Sequence, residues 1–221
     1  MSKALIKASI AAALFAMTCS AAQANLVVNG SFENTTGFVD NGQDTMSLLV
    51  GSTTMTGWTV VGDSLAWIGP TNPFALTASN GSYFLDLTDY SANCPCGGVT
   101  QLIATSTGST YRLTFDLGGS SQYGVPDSII VNAGASIQTF TTTQTGLNFW
   151  EPQTLDFVGI GPLTAITLLG FSGQNYIGLD NVSVEFLRGP GTGVPEPATL
   201  ALFGAGLTGL GALRRRRKAK A

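Results

Sequence analysis

Between Asn25 and Leu187 apolar and polar residues alternate with a period of two, and turn-forming residues interrupt the alternation at short intervals. Tyr111–Leu117 is the clearest case. Tyr111, Leu113, Phe115 and Leu117 fall on one side, and Arg112, Thr114 and Asp116 on the other. Gly98–Ala104 precedes it across the turn residues Thr107, Gly108 and Ser109, so the two segments are expected to pair as a hairpin. Further strands are expected at Trp58–Val61, Tyr83–Thr88, Ser128–Asn132, Ile137–Thr142, Gln153–Val158, Ala165–Phe171 and Tyr176–Glu185. Asp40–Gln43 and Pro70–Asn80 are expected as long loops. Many short strands without convincing helical periodicity predict an all-β fold over residues 25–188, a β-sandwich or jelly roll. Trp58 and Trp67 stand in apolar runs and read as core. Tyr90, Tyr123 and Trp150 stand in loops or at a loop-to-strand junction and read as exposed rings for stacking against a sugar.

The pattern changes at both ends. Residues 1–24 read as a secretory signal peptide. Lys3 and Lys7 form its charged start, Ala8–Met17 its apolar stretch, and Ala22-Gln23-Ala24 a cleavage site that leaves Asn25 as the mature start. Cys19 would leave with it. At the other end a Gly-rich linker, residues 189–193, leads to Val194-Pro195-Glu196-Pro197. The apolar run 198–213 follows, expected as a transmembrane helix, and then Arg214, Arg215, Arg216, Arg217 and Lys218. The arginines are expected to stay cytoplasmic and halt the span.

Composition narrows the chemistry. The chain has 221 residues and no His. A Ser-His-Asp triad, a Cys-His pair and a His-ligated zinc site are excluded. Most of the positive charge lies in the two end segments. Between Asn25 and Arg188 only Arg112 and Arg188 oppose twelve acids, a net of −10. Such a surface repels a phosphate backbone, which argues against nucleic acid as a partner. It keeps an exported domain soluble and can attract divalent cations, Ca2+ above all. Paired carboxylates are the one enzymatic inventory left, with Asp86 and Asp89, or Asp127 and Glu151, as nameable pairs.

Two local features add to this. In Leu179–Phe186 the period of two puts Asp180 on the side of Val182, Val184 and Phe186. A carboxylate in an apolar row needs a cation, or backbone N–H groups from a turn. Cys94 and Cys96 are the two thiols left after processing, and export makes a disulfide between them the plain expectation. An intermolecular link, a redox role and soft-metal binding are the alternatives.

Val194–Lys220 resembles a PEP-CTERM sorting signal in its Pro-Glu-Pro box, short apolar helix and terminal arginines. The resemblance implies recognition by an exosortase, a membrane protease that cuts near the box. It also implies transient anchoring in the inner membrane of a Gram-negative bacterium that makes extracellular polysaccharide, with delivery to the cell envelope, surface or matrix. Val194, Pro195, Glu196 and Pro197 would be recognition residues with no chemistry of their own.

The middle of the chain resembles a galactose-binding-like jelly roll. The resemblance rests on Leu26–Glu33, Gly57-Trp58, Gly81–Leu87, Gln101, Tyr111–Phe115 and Leu179–Val184. It is similar to bacterial relatives of a plant cell-wall domain family of unknown function, and more distantly to carbohydrate-binding modules. It implies that the N-terminal segment and the last strand are neighbours in space. It further implies a structural Ca2+ held by Glu33 and Asp180 with backbone carbonyls. The expected function is a non-enzymatic, exported, carbohydrate-binding protein. A structural or adhesive surface protein and a carboxylate-dependent glycoside hydrolase are the alternatives.

Overall fold

The computed structural model describes residues 24–191 except 92, 93 and 95. Eleven strands form two antiparallel sheets, and the described residues contain no helix. The strands are β1 (Thr45–Leu48), β2 (Thr59–Gly62), β3 (Leu65–Ile68), β4 (Phe84–Asp86), β5 (Gly97–Ala104) and β6 (Thr110–Gly119). Then come β7 (Ser128–Ala133), β8 (Ser136–Thr141), β9 (Phe149–Val158), β10 (Leu163–Ser172) and β11 (Gly178–Arg188). One sheet has six strands in the order β1-β3-β4-β11-β6-β9; the other has five, β2-β5-β10-β7-β8. The fold is an all-β jelly-roll sandwich.

The alternation in the sequence becomes the core. Val99 and Ile103 on β5, Ile129 and Val131 on β7, and Ile166 and Leu168 on β10 meet Leu113, Phe115, Leu155, Phe157, Val182 and Val184 of the other sheet. Each such side chain, fully buried, contributes about 1.5–3 kcal/mol. Trp58 and Trp67 are both in this core, and their indole N–H groups donate to the Asn29 and Phe32 carbonyls at 2.9 and 3.2 Å. The five-stranded sheet carries no charged residue on any strand, so the strand charges all lie on the six-stranded sheet.

The expected hairpin of Gly98–Ala104 with Tyr111–Leu117 does not form. β5 pairs with β2 and β10, whereas β6 pairs with β11 and β9 in the opposite sheet. Residues 105–109 are a crossing between layers. Their turn donates the Ser109 amide to the Ser106 carbonyl and the Gly108 amide to Gly159 beside β9. Both strands alternate, and alternation looks the same whether two strands share a sheet or face one another across a core. β1 and β3 lie outside the strands expected from the alternation; at four residues each they are too short to show a period.

The N-terminal segment closes against β11. Leu26 donates to the Val184 carbonyl at 2.9 Å, and Val182 donates to the Gly30 carbonyl at 2.8 Å. A Cβ on Gly30 would overlap the Val182 carbonyl, so only glycine lets the segment lie this close. Gly30→Ala is expected to cost about 1–3 kcal/mol. That should lower the melting temperature by about 2–12 °C in a calorimetric scan.

Candidate functional site

Leu65, Trp67 and Leu85 point into the inter-sheet core, so Ala66, Ile68 and Phe84 point away from it. These three outward residues are nevertheless fully buried. Residues 69–83, which include the expected loop Pro70–Asn80, fold over the outer face of the six-stranded sheet. Phe74 and Leu76 there meet Ile68, Phe84 and Tyr176 in a second apolar cluster.

Polar bonds hold this cover down along its length. Asn72 donates to the Gly69 and Leu76 carbonyls at 2.8 and 2.9 Å. The Tyr123 hydroxyl donates to the Phe74 carbonyl at 3.0 Å, and the Trp150 indole N–H to the Thr77 carbonyl at 2.9 Å. Asp180 accepts the Ser79 and Asn80 amides at 2.9 and 2.8 Å. The Ser79 hydroxyl donates to Asp116, which also accepts from the Asn181 side chain at 3.0 Å.

Under one end of the cover lies a cavity of about 240 Å³. Ile68 and Asp86 line it from the sheet, Phe74 and Leu76 from the cover, and Tyr90, Tyr123 and Asn175 from three loops. The Tyr90 ring meets Phe74 at 5.3 Å between centroids, and Tyr123 meets Tyr176 at 6.4 Å. Asp86 shapes the rim. Its carboxylate accepts the Thr88 amide at 2.9 Å, the Ile177 amide at 3.1 Å and the Tyr90 amide at 3.3 Å. These bonds hold Asp89 and Tyr90 at φ 48° and 65°, a left-handed turn that brings the Tyr90 ring to the surface, where it is 37% exposed.

Two of the three expected stacking residues thus share one cavity, and the third stands beside it. Trp150 is half-buried against Phe84, at 5.7 Å and an interplanar angle of 83°. Gly118 and Gly178 are paired across β6 and β11, and a Cβ on either would strike the indole, so the two glycines clear its shelf. Trp150 braces the cover rather than lining the cavity.

Glu33 and Asp180, expected to share a cation, grip successive amides of one turn. Asp180 takes residues 79 and 80 on Oδ2 and the Asn181 amide on Oδ1 at 2.6 Å. Glu33 Oε1 takes the Ser82 and Tyr83 amides at 2.7 and 2.6 Å. Two N–H bonds fill the lone pairs of one oxygen on each carboxylate. Among the described residues no three acids, cysteines or histidines converge. A Ca2+ ion needs six to eight oxygens, and amides already occupy both oxygens of Asp180 and one of Glu33.

The two Cys are joined to each other by a disulfide in the loop that also carries Tyr90. Residues 1–23 of the expected signal peptide 1–24, the sorting residues Val194–Pro197, the apolar run 198–213 and Arg214–Arg217 lie outside the described residues. Within the described residues no helix is long and apolar enough to cross a membrane.

Residues 25–175 match the family of proteins of unknown function designated DUF642. The chain belongs to the DUF642 family. Residues 193–217 match the PEP-CTERM protein-sorting motif, which indicates export to the cell surface by way of an exosortase. No curated protein matches the chain. Solved structures of similar fold include a family 35 carbohydrate-binding module from Clostridium thermocellum, at 9% identity and a TM-score of 0.44 over 63% of this chain and 97% of that one. A family 61 module in complex with β-1,4-galactotriose has 18% identity and a TM-score of 0.43 over 76% and 100%. The CBM22-1 xylan-binding domain of Paenibacillus barcinonensis Xyn10C has 12% identity and a TM-score of 0.44 over 65% and 94%.

Of the acids nameable as pairs from the sequence, Asp86, Asp89 and Glu151 accept hydrogen bonds in the DUF642 domain. Asp86 and Glu151 are buried and accept backbone amides, Glu151 from Thr143 and Gln144 at 2.8 and 2.6 Å. Asp89 accepts the Ser47 hydroxyl at 2.6 Å. Asp127 is fully buried with no hydrogen-bond partner on either oxygen, and the sequence does not single it out for burial. It directly follows Pro126 in a loop, and no period of two signals its direction.

Burial sets the protonation of three acids. It pushes the Asp127 carboxyl up to about 8, with the Asp86 charge adding to the effect. It pushes Asp180 up to about 7 and Asp86 up to about 6, in each case against backbone bonds that favour the ion. Each carboxyl therefore holds its proton more tightly folded than unfolded, where the ordinary value is 3.8. Stability from this source is complete below that value and is lost as pH rises through about 6 to 8.

Melting experiments on the DUF642 protein read both the buried acids and the clamped turn. Between pH 5 and pH 8.5 the melting temperature should fall. Asp127→Asn should flatten the upper part of that fall and raise the melting temperature at pH 8.5; an unchanged pH profile would count against the burial of Asp127. At constant pH, EDTA should leave the melting temperature unchanged. Asp180→Ala, which strands three amides at about 1–3 kcal/mol each, should lower it by at least about 5 °C.

Proposed function

We propose that this DUF642 protein is a non-enzymatic carbohydrate-binding protein of the bacterial surface, and that it binds a neutral glycan at the aromatic cavity. The carrying observation is the Tyr90 ring, held exposed by a left-handed turn at the mouth of a cavity that Phe74 and Tyr123 also line. A flat ring at a concave, largely apolar site matches the C–H face of a pyranose. No Lys or Arg lines the cavity, and the surrounding domain is strongly acidic, so a uronic-acid polymer would find no counter-charge there. In this reading an exosortase cuts the tail near Pro195–Pro197 after the apolar helix has held the protein in the inner membrane. The product then passes to the envelope or the extracellular polysaccharide of a Gram-negative cell.

A structural or adhesive role without sugar specificity is the second reading. It is favoured by the five-stranded sheet, whose strands present no charge on an otherwise acidic domain.

Affinity electrophoresis of the purified full-length protein in gels containing cellulose derivatives, xylan, galactan or alginate tests the first reading. Retardation is expected on at least one neutral polymer and not on alginate. Tyr90→Ala should weaken it by about tenfold in a protein that still unfolds in a single cooperative transition. A wild-type protein that runs freely through every neutral polymer favours the structural role.

A further inference from the structure

A second cavity, of about 320 Å³, opens on the same end of the domain. It is lined by Cys94, by Val125 and Pro126, and by the run Phe171–Gln174. Three loops line both this cavity and the aromatic one, each giving nearby residues to the two. The loop after β4 gives Tyr90 to the first and Cys94 to the second; the loop after β6 gives Tyr123, then Val125 and Pro126; the loop after β10 gives Asn175 to the first and Gly173 and Gln174 to the second, which Phe171 and Ser172 at the end of β10 complete.

The three loops are tied together between the cavities. Asn175 donates its amide to the Ser91 carbonyl at 2.9 Å, joining the third loop to the first. Gly124, at φ 110°, lies against the Gln174 side chain, joining the second to the third; a Cβ there would sit 2.7 Å from Gln174 Cβ. The two cavities are therefore neighbours on one tied ridge, separated by about one residue in two of its loops.

Their chemistries differ. In the aromatic cavity the polar groups are largely committed. Asp86 is filled by amides and the Thr88 hydroxyl, and the Tyr123 hydroxyl is bound to Phe74. The second cavity presents Ser172 and Gln174, both exposed, beside the Phe171 ring, which is 55% exposed. An exposed phenyl ring at the end of a strand has no packing role, and with an amide and a hydroxyl at its side it forms a platform with hydrogen-bonding groups. Neither cavity is lined by a cationic side chain among the described residues.

From this we propose that the two cavities are consecutive subsites of one binding edge, and that the ligand is a neutral oligosaccharide of at least two residues. One sugar seats its C–H face against Tyr90 and Tyr123. The next lies on Phe171, with its hydroxyls bonded to Ser172 and Gln174. The inference rests on the glycan reading above and adds to it the direction of the chain across the three loops and a minimum length.

Isothermal titration of the purified full-length protein with gluco-, xylo- and galacto-oligosaccharides, β-1,4-linked and one to four residues long, tests it. Affinity should rise about tenfold or more from mono- to disaccharide. Phe171→Ala and Gln174→Ala, both at exposed side chains, should remove most of that gain while leaving monosaccharide binding unchanged. Tyr90→Ala should weaken every length alike. Equal affinity for one and four residues, or unaltered chain-length dependence in both second-cavity variants, would overturn the two-subsite arrangement and leave the single-cavity reading standing. Failure of every oligosaccharide to bind, together with free migration in the neutral polymers, would overturn both.

Discussion

The structure depends on keeping residues 69–83 pressed onto the outer face of the six-stranded sheet. A sandwich buries the inner faces of its sheets, and the outer faces normally meet water. Here Ala66, Ile68 and Phe84 are apolar on the outside as well, so that face needs a cover. Because the cover is a loop, its backbone amides have no ladder to join. Asp180 and Glu33 supply acceptors for four of them, and Trp150 and Tyr123 supply donors for two carbonyls. An amide buried without a partner would cost about 1–3 kcal/mol. The carboxylates are thus structural acceptors, and Phe74 and Leu76 of the cover form one wall of the aromatic cavity.

This arrangement separates two roles that the sequence makes look alike. Tyr123 and Trp150 each use a polar group to hold the cover, so their rings are positioned by structure first. Tyr90 is held by its backbone amide through Asp86 and by a side-chain bond to Thr45, with part of its ring at the surface. Asp86 connects both roles. It stands on the sheet under the cavity, fixes the turn that carries Tyr90 and receives the Ile177 amide next to Tyr176. One buried carboxylate therefore couples the mouth of the cavity to the strand that follows it.

Alternation along the chain makes the strand-rich middle and its core legible. Tyr111, Leu113, Phe115, Val182 and Val184 are buried as the period of two requires. Asp180 is buried too, but not on the side of Val182 and Val184 where that period puts it: Leu179 is the core residue before it, the register shifts at Asn181, and Asp180 faces the cover instead. Of the candidate site, the exposed ring Tyr90 is legible from its loop, and Tyr123 from its Gly-rich surroundings. Phe171, Ser172 and Gln174 are not, because Phe171 ends an apolar strand pattern and reads there as one more core residue. Asp127 carries no signal either: the room for its carboxyl is left by two glycines from other segments, Gly119 and Gly173.

By itself the order of residues determined the strand-rich and acidic character of the domain, the sorting motif that follows it, and the absence of any histidine chemistry. These are properties of composition and of near neighbours, and they need no third dimension. Tertiary structure alone decided that β5 and β6 lie in opposite sheets, that Glu33 and Asp180 clamp amides of one turn, and that three loops far apart in sequence line two adjoining cavities. Each of these depends on which partner, most of them far along the chain, a strand, carboxylate or loop meets: β5 pairs with β2 and β10, and β6 with β9 and β11. A repeat of two residues fixes which side of a strand is apolar, but not which other strand, loop or carboxylate will meet it.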